Sequence, residues 1–522
     1  MTQHTNKYII IILVFLILTV PGWAANYTVS PSGSGSENGS DWDNTIGWDT
    51  ISFSRGTGNT YYLMEGSYSG KTLSTAVSGS YVITIKKCGT GDGTCENISG
   101  YTSSEHDGQA VFTSGLTWTT NNWVLDGATR NENDWSNSTA YGFYVDGGTN
   151  GNGYKLFNVT SVGNITIQYV YAAYDSVLGG SDISANQNHG LYSSNGSTNI
   201  TMEYCFIKNT SWKAAILINS STGPFVVRYN RFENIDKKEL WSARSTDNVT
   251  FAYNYCKNIA GTGAIVADDS DNWSIYGNVF WNPNVSYTFS DVTIGTWTGD
   301  HPDRTETLNN WKIYNNTFYD VHDQIQIQKG TGNEVRNTLV IGETISINGS
   351  LTASNNTQNA STSVIENSTS GDFHLVSDGA AGTGYTLSST YNQDMDGVTR
   401  GSSGVWDIGT FEYSTGGDVT APVVTISNND PEGIGFDTLA ISGTATDAVG
   451  VTECKFRIGS APDESNGTTI TGTTTWSGTA TGFSEGDNTL YVGCDDAANN
   501  WGVDSITVNL VDSNAIQGMT IN

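Results

Sequence analysis

Asn199–Asn209 reads NITMEYCFIKN, Pro224–Asn234 reads PFVVRYNRFEN, Asn248–Asn258 reads NVTFAYNYCKN and Asn272–Asn282 reads NWSIYGNVFWN. Their starts lie 25, 24 and 24 residues apart. The pattern returns 38 residues later as NWKIYNNTFYD at Asn310, and 35 residues earlier as NITIQYVYAAY at Asn164. Stacked on one another, the segments give columns of like chemistry, the mark of a repeating coil. Ile200, Phe225, Val249, Trp273 and Trp311 form one apolar column. Met202, Val227, Phe251, Ile275 and Ile313 form a second, and Ile207, Phe232, Cys256, Phe280 and Phe318 a third. Between them Cys205, Asn230, Asn254, Asn278 and Asn316 predict a buried ladder in which each amide bonds its copy one coil away.

Counting back from each start predicts another strand, with inward columns Leu191, Ile216, Leu240, Ala264, Ile325 and Ser193, Ile218, Ser242, Val266, Ile327. Period-two strands repeated about every 24 residues describe a parallel β-helix, each coil rising by the strand spacing of about 4.8 Å. One coil cannot bury its own apolar face, so the repeats are stable only as a stack. On these columns the chain resembles the secreted right-handed parallel β-helix proteins of the pectate-lyase-like superfold. That resemblance implies an all-β fold and leaves function open, because one fold hosts lyases, hydrolases and adhesins.

The 522 residues include 60 glycines and only 14% charged residues, which fits a turn-rich β protein with little helix. Residues 1–24 read as an export signal: Lys7 at the positive end, the apolar run Tyr8 to Val20, then small Gly22 and Ala24 before cleavage. That run is too short for a membrane span. A secreted or extracellular protein follows, held to a cell surface, if at all, by something other than a span. The net charge of -30 argues against nucleic-acid partners and anionic membranes. A monomer is expected.

The β-helix is expected over 25–417, with opening coils at its start and a closing segment at its end. DFHL at Asp372, MDGVTR at Met395 and WDIGTFEY at Trp406 resemble the terminal segment of exported β-helix proteins, expected to cap the open end, with His374 a packed or capping histidine. From Asp418, short alternating strands predict a β-sandwich over 418–512, followed by a tail at 513–522. It resembles the bacterial immunoglobulin-like modules appended to secreted enzymes and adhesins. Two long insertions, around 175–187 and 282–304, are expected as rim loops that wall a trough if both leave one corner. In an exported chain, Cys88 with Cys95 and Cys454 with Cys494 invite pairing, and Cys205 and Cys256 are expected as free core thiols.

Chemistry is suggested by local charge. From Lys208 to Lys257 lie eight bases and four acids, a window of +4 in a chain of -30. A cationic patch on an acidic body focuses an anionic ligand. Arg244 and Asp268 are expected in one column with Lys329, near Lys238, Glu239, Lys213 and His189. The outward aromatics Tyr192, Trp241, Tyr276, Trp281, Tyr314 and Tyr319 offer faces to sugar rings, and Arg228 adds a cation. An extracellular anionic polysaccharide fits such a wall.

If that polymer is cleaved, the economical route is β-elimination, in which a cation neutralises the uronate carboxylate and a base removes the adjacent C5 proton. KKELWSARSTDN at Lys237 resembles the Glu, Lys-Ser, Asn pattern of alginate and chondroitin lyases with this fold. The resemblance implies calcium at Glu239 and a base at Arg244. The chain departs from that pattern: arginine, with a pKa above about 12, is a poor base, and Lys237 and Asp268 stand where the family has an acid and an arginine. Asp268 and Asp269 suggest instead a metal site holding calcium through oxygen ligands, or the paired carboxylates of a polygalacturonase-like hydrolase. Glu37, Asp41 and Asp43 are another acidic turn. The rival to both enzymatic readings is a non-catalytic glycan-binding, adhesive or structural protein.

Overall fold

The computed structural model describes residues 24–89, 92–148, 154–175, 188–210, 214–235, 239–259, 261–282, 289–296, 307–321, 324–401, 405–413, 421–430, 432–447, 450–463, 466–496 and 500–511, with backbone alone at 261–262 and 289–292. The chain divides into two compact units, Met1–Tyr413 and Ser414–Asn522.

In the first unit every turn of chain lays one strand in each of three parallel sheets. Among the described residues these hold 13, 11 and 10 strands, and neighbours in a sheet are one coil apart in sequence. The first sheet contains Thr198–Glu203, Phe225–Arg228, Val249–Ala252 and Trp273–Tyr276 in succession. Registers join Ile200 to Phe225, Phe225 to Val249 and Val249 to Trp273. All three apolar columns read from the repeat are buried, in one core that runs through the stack.

The corner between first and second sheets explains the asparagine column. Tyr204, Tyr229 and Tyr253 take φ of 57°, 55° and 55°, followed by Gly277 at 64° and Asn315 at 53°. Left-handed backbone is disfavoured for a tyrosine, so neighbouring contacts must hold it. The next residue in each coil supplies them. Asn254 Oδ1 accepts the main-chain N–H of Asn230 at 3.0 Å, and Asn254 Nδ2 donates to Val227 O at 3.0 Å in the coil before. Asn278 and Asn316 repeat the arrangement, and the ladder ends where Cys205 N donates to Asn230 Oδ1 at 2.8 Å.

The third sheet differs from the count. Its register pairs Leu191 with Ile216, Ile216 with Trp241 and Trp241 with Ile265, so Trp241 and Ala243 point inward where Leu240 and Ser242 were expected. The cause is one turn. Ser221 pairs with Thr246 and Phe225 with Val249, so three residues bridge that corner in one coil and two in the next. Pro224 is the added residue, and the count back to the third sheet slips by one in the coils that start at Asn248 and Asn272, while Ile325 and Ile327 stand inward as expected.

The second insertion is not one loop. Phe289–Gly295 lies within it as a strand of the third sheet, between Gly261–Asp268 and Gln324–Ile327. The closing segment does not cap an end. It runs back along the flank, where Tyr253 Oη donates to Gln393 O at 3.3 Å, Thr410 Oγ1 to Asn278 O at 2.7 Å and Gly409 N to Asn337 O at 2.9 Å. An ion pair between fully buried Arg400 and Glu412, at 3.4 Å, holds that segment together.

The second unit packs a sheet of three strands and one of five around Trp476, Leu490 and Val492. Disulfides join Cys88 to Cys95 and Cys454 to Cys494, while Cys205 and Cys256 are free and buried. Among the described residues no helix is long and apolar enough to cross a membrane.

Candidate functional site

Arg244 and Asp268 are register partners on neighbouring third-sheet strands, with Asn219 on the other side of Arg244. Both side chains point outward because Ala243 and Ala267 point in. Arg244 Nη2 stands 3.6 Å from Asp268 Oδ2, the arginine 63% exposed and the aspartate mostly covered. Asp269 turns the corner at φ 43° and accepts Thr307 N at 3.2 Å. Glu239 is buried two residues before the Arg244 strand, Trp241–Thr246. Among the described residues no group of three His, Cys, Asp or Glu side chains is disposed to hold a metal ion. At the other acidic turn, Asp41 caps residues Trp42–Asn44 and takes Asp43 N and Asn44 Nδ2 on one oxygen. The Asn44 and Ser40 hydrogen bonds hold its carboxyl below the usual range.

The remaining sequence candidates separate. His189 is buried, its Nδ1 2.8 Å from Ala214 O and its ring against Tyr192. Tyr192 does face outward, under the Lys155 ammonium at 4.0 Å. Trp241 does not: it is wholly buried between Phe251 and Trp273, the consequence of the one-residue slip. Tyr276 points outward but meets Tyr391 edge-on at 4.9 Å, and Tyr314 meets the same ring. Trp281 and Tyr319 lie against Phe373. The closing segment therefore clads four of the six aromatics expected to face a ligand. Burial pushes the Tyr276 hydroxyl up to about 12. Lys329 is exposed after Gln324–Ile327, three strands along the sheet from Arg244 and not beside it. Lys213 and Lys238 lie outside the described residues.

The cationic window disperses for the same geometric reason, since successive strands of one coil face three directions. Arg228 stands on the first sheet, paired with Glu203 at 2.7 Å, and Arg244 on the third. Lys208, Arg231 and Lys257 stand on the second, where they meet aromatic rings.

This second-sheet wall is the set of residues the sequence reading passed over. Tyr144 stacks on Tyr171 at 4.8 Å, and Tyr171 meets Phe206 at 5.2 Å. The Arg231 guanidinium lies over Phe206 at 5.6 Å and over Tyr255 at 4.8 Å. Lys208 also sits over Phe206, and Lys257 over Trp281 at 4.3 Å. Glu233 binds Arg231 at 2.8 Å and approaches Lys208 at 4.0 Å, so two cations share one acid. Burial lowers the Lys257 ammonium from its ordinary value. The signal was present: these residues flank the inward column of Ile207, Phe232 and Cys256.

The fold is a right-handed parallel β-helix. No family model and no characterised protein sequence matches the chain. Among solved structures it is similar to the pectate lyase Pel9A, at 15% identity over 75% of this chain and 97% of that one, with a TM-score of 0.34. It is also similar to PfbA, a surface adhesin of Streptococcus pneumoniae, at 12% identity over 64% and 90%, with a TM-score of 0.24. Against the fibronectin(III)-like modules of Clostridium thermocellum CbhA the identity is 17%, over 18% of this chain, with a TM-score of 0.15, and the match spans 50% of those modules.

Proposed function

We propose that this β-helix is a secreted, carbohydrate-active protein that engages an extracellular anionic polysaccharide along its outer wall. The observation that carries the reading is the second-sheet row Tyr144, Tyr171, Phe206, Arg231 and Tyr255, one residue per coil and in register, in which Tyr144, Tyr171 and Arg231 reach the surface while Phe206 is buried and Tyr255 lies under Gly371 and Phe373. Lys208, Glu233 and Lys257 edge it. Aromatic faces and cations repeat there at the strand spacing, about 4.8 Å, as a polymer of like units requires. Aromatic rings receive the apolar faces of sugars, and arginine reads carboxylates through a planar fork. The acidic remainder of the chain repels the same polymer and confines it to the wall.

A second reading, cleavage by β-elimination, is favoured by Arg244. Its guanidinium is the more exposed partner of the Asp268 pair, and so is open to a uronate carboxylate. In that step a base takes the C5 proton as the C4–O bond breaks, leaving a C4–C5 double bond, and the departing oxygen takes a proton to become the hydroxyl of the released chain. Calcium held by oxygen ligands at Glu239, Asp268 or Asp269 belongs to this reading.

The test incubates the mature protein with alginate, pectate and glycosaminoglycans, with calcium or with chelator, following ultraviolet absorbance of the unsaturated product together with binding. Binding that Arg231→Gln weakens, with flat absorbance, establishes the non-catalytic role. A rise abolished by Arg244→Ala establishes the lyase. No binding to any anionic polymer sinks the proposal.

A further inference from the structure

Near the C-terminal end of the first sheet, a hollow of about 540 Å³ opens over Thr331, Asn333, Glu334, Arg336, Ser350 and Thr352. Register places Lys312 beside Glu334 and Tyr314 beside Arg336 on its outward face. The Glu334 carboxylate takes Lys312 Nζ at 2.6 Å on one oxygen and Arg336 Nε at 2.7 Å on the other. Two cations thus share one acid, leaving local positive charge on a strongly acidic chain. Against the penalty of burial, hydrogen bonds from Lys312, Arg336 and Tyr314 pull the Glu334 carboxyl down to about 2, so it is ionised at any physiological pH.

An aromatic face completes the arrangement. The Arg336 guanidinium lies 4.3 Å from the ring of Tyr385, which is 47% exposed. Arg336 Nη1 also donates to Ser354 Oγ at 3.0 Å, fixing the plane of the guanidinium. Exposed Lys329 adjoins the rim at Gly330. A hollow with hydroxyl groups, a charge-bearing fork and a half-exposed aromatic ring beside that fork is a composition suited to sugar recognition.

We infer that this hollow is a separate binding site for an acidic sugar unit, its carboxylate taken by Arg336 and its hydroxyls by Thr331, Ser350 and Thr352, with Lys312 beside Glu334 and the Tyr385 ring beside Arg336 at its edge. The inference rests on the polysaccharide reading and adds a place on the molecule that the second-sheet wall does not include. It also accounts for a tyrosine left half in solvent where the neighbouring outward aromatics Tyr276 and Tyr314 are covered.

The test measures binding of a galacturonate tetramer and of its methyl ester to the mature full-length protein by calorimetry. Tyr385→Ala removes an exposed ring and should leave the fold intact. It is expected to lower affinity for the acid about tenfold, and Arg336→Gln to erase the preference for acid over ester. If both variants bind like the parent while Arg231→Gln loses binding, the hollow is not a site and the wall stands alone. If the parent binds neither probe, nor any anionic polymer, both readings fall.

Discussion

Asn254 Oδ1 accepts from Asn230 twice, from the main-chain N–H at 3.0 Å and from Nδ2 at 3.1 Å, with both residues fully buried. One amide thus closes the corner of the coil next to it while its own Nδ2 reaches that coil's Val227 carbonyl.

Asn254→Leu therefore takes away the partners of the Asn230 main-chain N–H and the Val227 carbonyl inside the core, while Asn230 Nδ2 keeps its bond to Met202 O at 2.9 Å. At about 1–3 kcal/mol for each buried unsatisfied group, a loss of about 3 kcal/mol or more is expected in urea denaturation. A loss below about 1 kcal/mol would mean that the ladder does not hold the corner.

Trp241 and Arg244 are expected to separate stability from recognition. Trp241→Ala empties a core position between Phe251 and Trp273, which costs about 3–5 kcal/mol. Arg244→Gln, at an exposed ion pair, should change stability by less than about 1 kcal/mol. Thermal melts and turnover of an anionic polymer, run on both variants, check the pair of expectations.

His374 bridges Asp372 and Asp396, each at 2.6 Å. Burial opposes its charge, but hydrogen bonds and charges from both carboxylates outweigh that and push it up to about 10 from an ordinary 6.5. Its folded value lies above its unfolded one, so its contribution is complete below about pH 6.5 and is lost as pH rises through about 10. The gap in melting temperature between parent and His374→Gln should be full at pH 6 and close by about pH 10. A gap that widens with pH would refute the assignment.

Binding along the second sheet should be salt-sensitive. The Debye length falls from about 10 Å at 0.1 M to about 3 Å at 1 M, so affinity for a uronate polymer should drop steeply over that range. Lys257→Gln should flatten the slope. An affinity indifferent to salt would leave stacking on Tyr144 and Tyr171 as the sole attraction.

Cys454 and Cys494 close a loop of 40 residues within one sheet. Chain entropy assigns such a loop about 4 kcal/mol. The double serine variant should lose roughly that much from the second unit, with the β-helix transition unchanged when followed by a separate probe.

The repeat, the inward columns of the first and second sheets, the asparagine ladder and both cysteine pairs were legible in the amino acids alone. Each rests on a periodicity that strand geometry imposes locally. Arg244 beside Asp268 was legible too, because both follow the same corner and any slip moves them together. Trp241 was misread because a three-residue turn at Pro224 became a two-residue turn at Asn248, and alternation reverses with a shift of one. The clustering of charge in sequence also misled, since coiling sends Arg228, Arg231 and Arg244 to three different sheets.

The sequence by itself determined that successive lengths of chain stack, and which side chains fill the interior, because apolar burial and backbone pairing repeat with the coil. Only the tertiary structure decided which outward faces remain open. The segment that clads Tyr276, Tyr314, Trp281 and Tyr319 arrives from as far as Phe373 and Tyr391, and no local periodicity records where a distant piece of chain comes to rest.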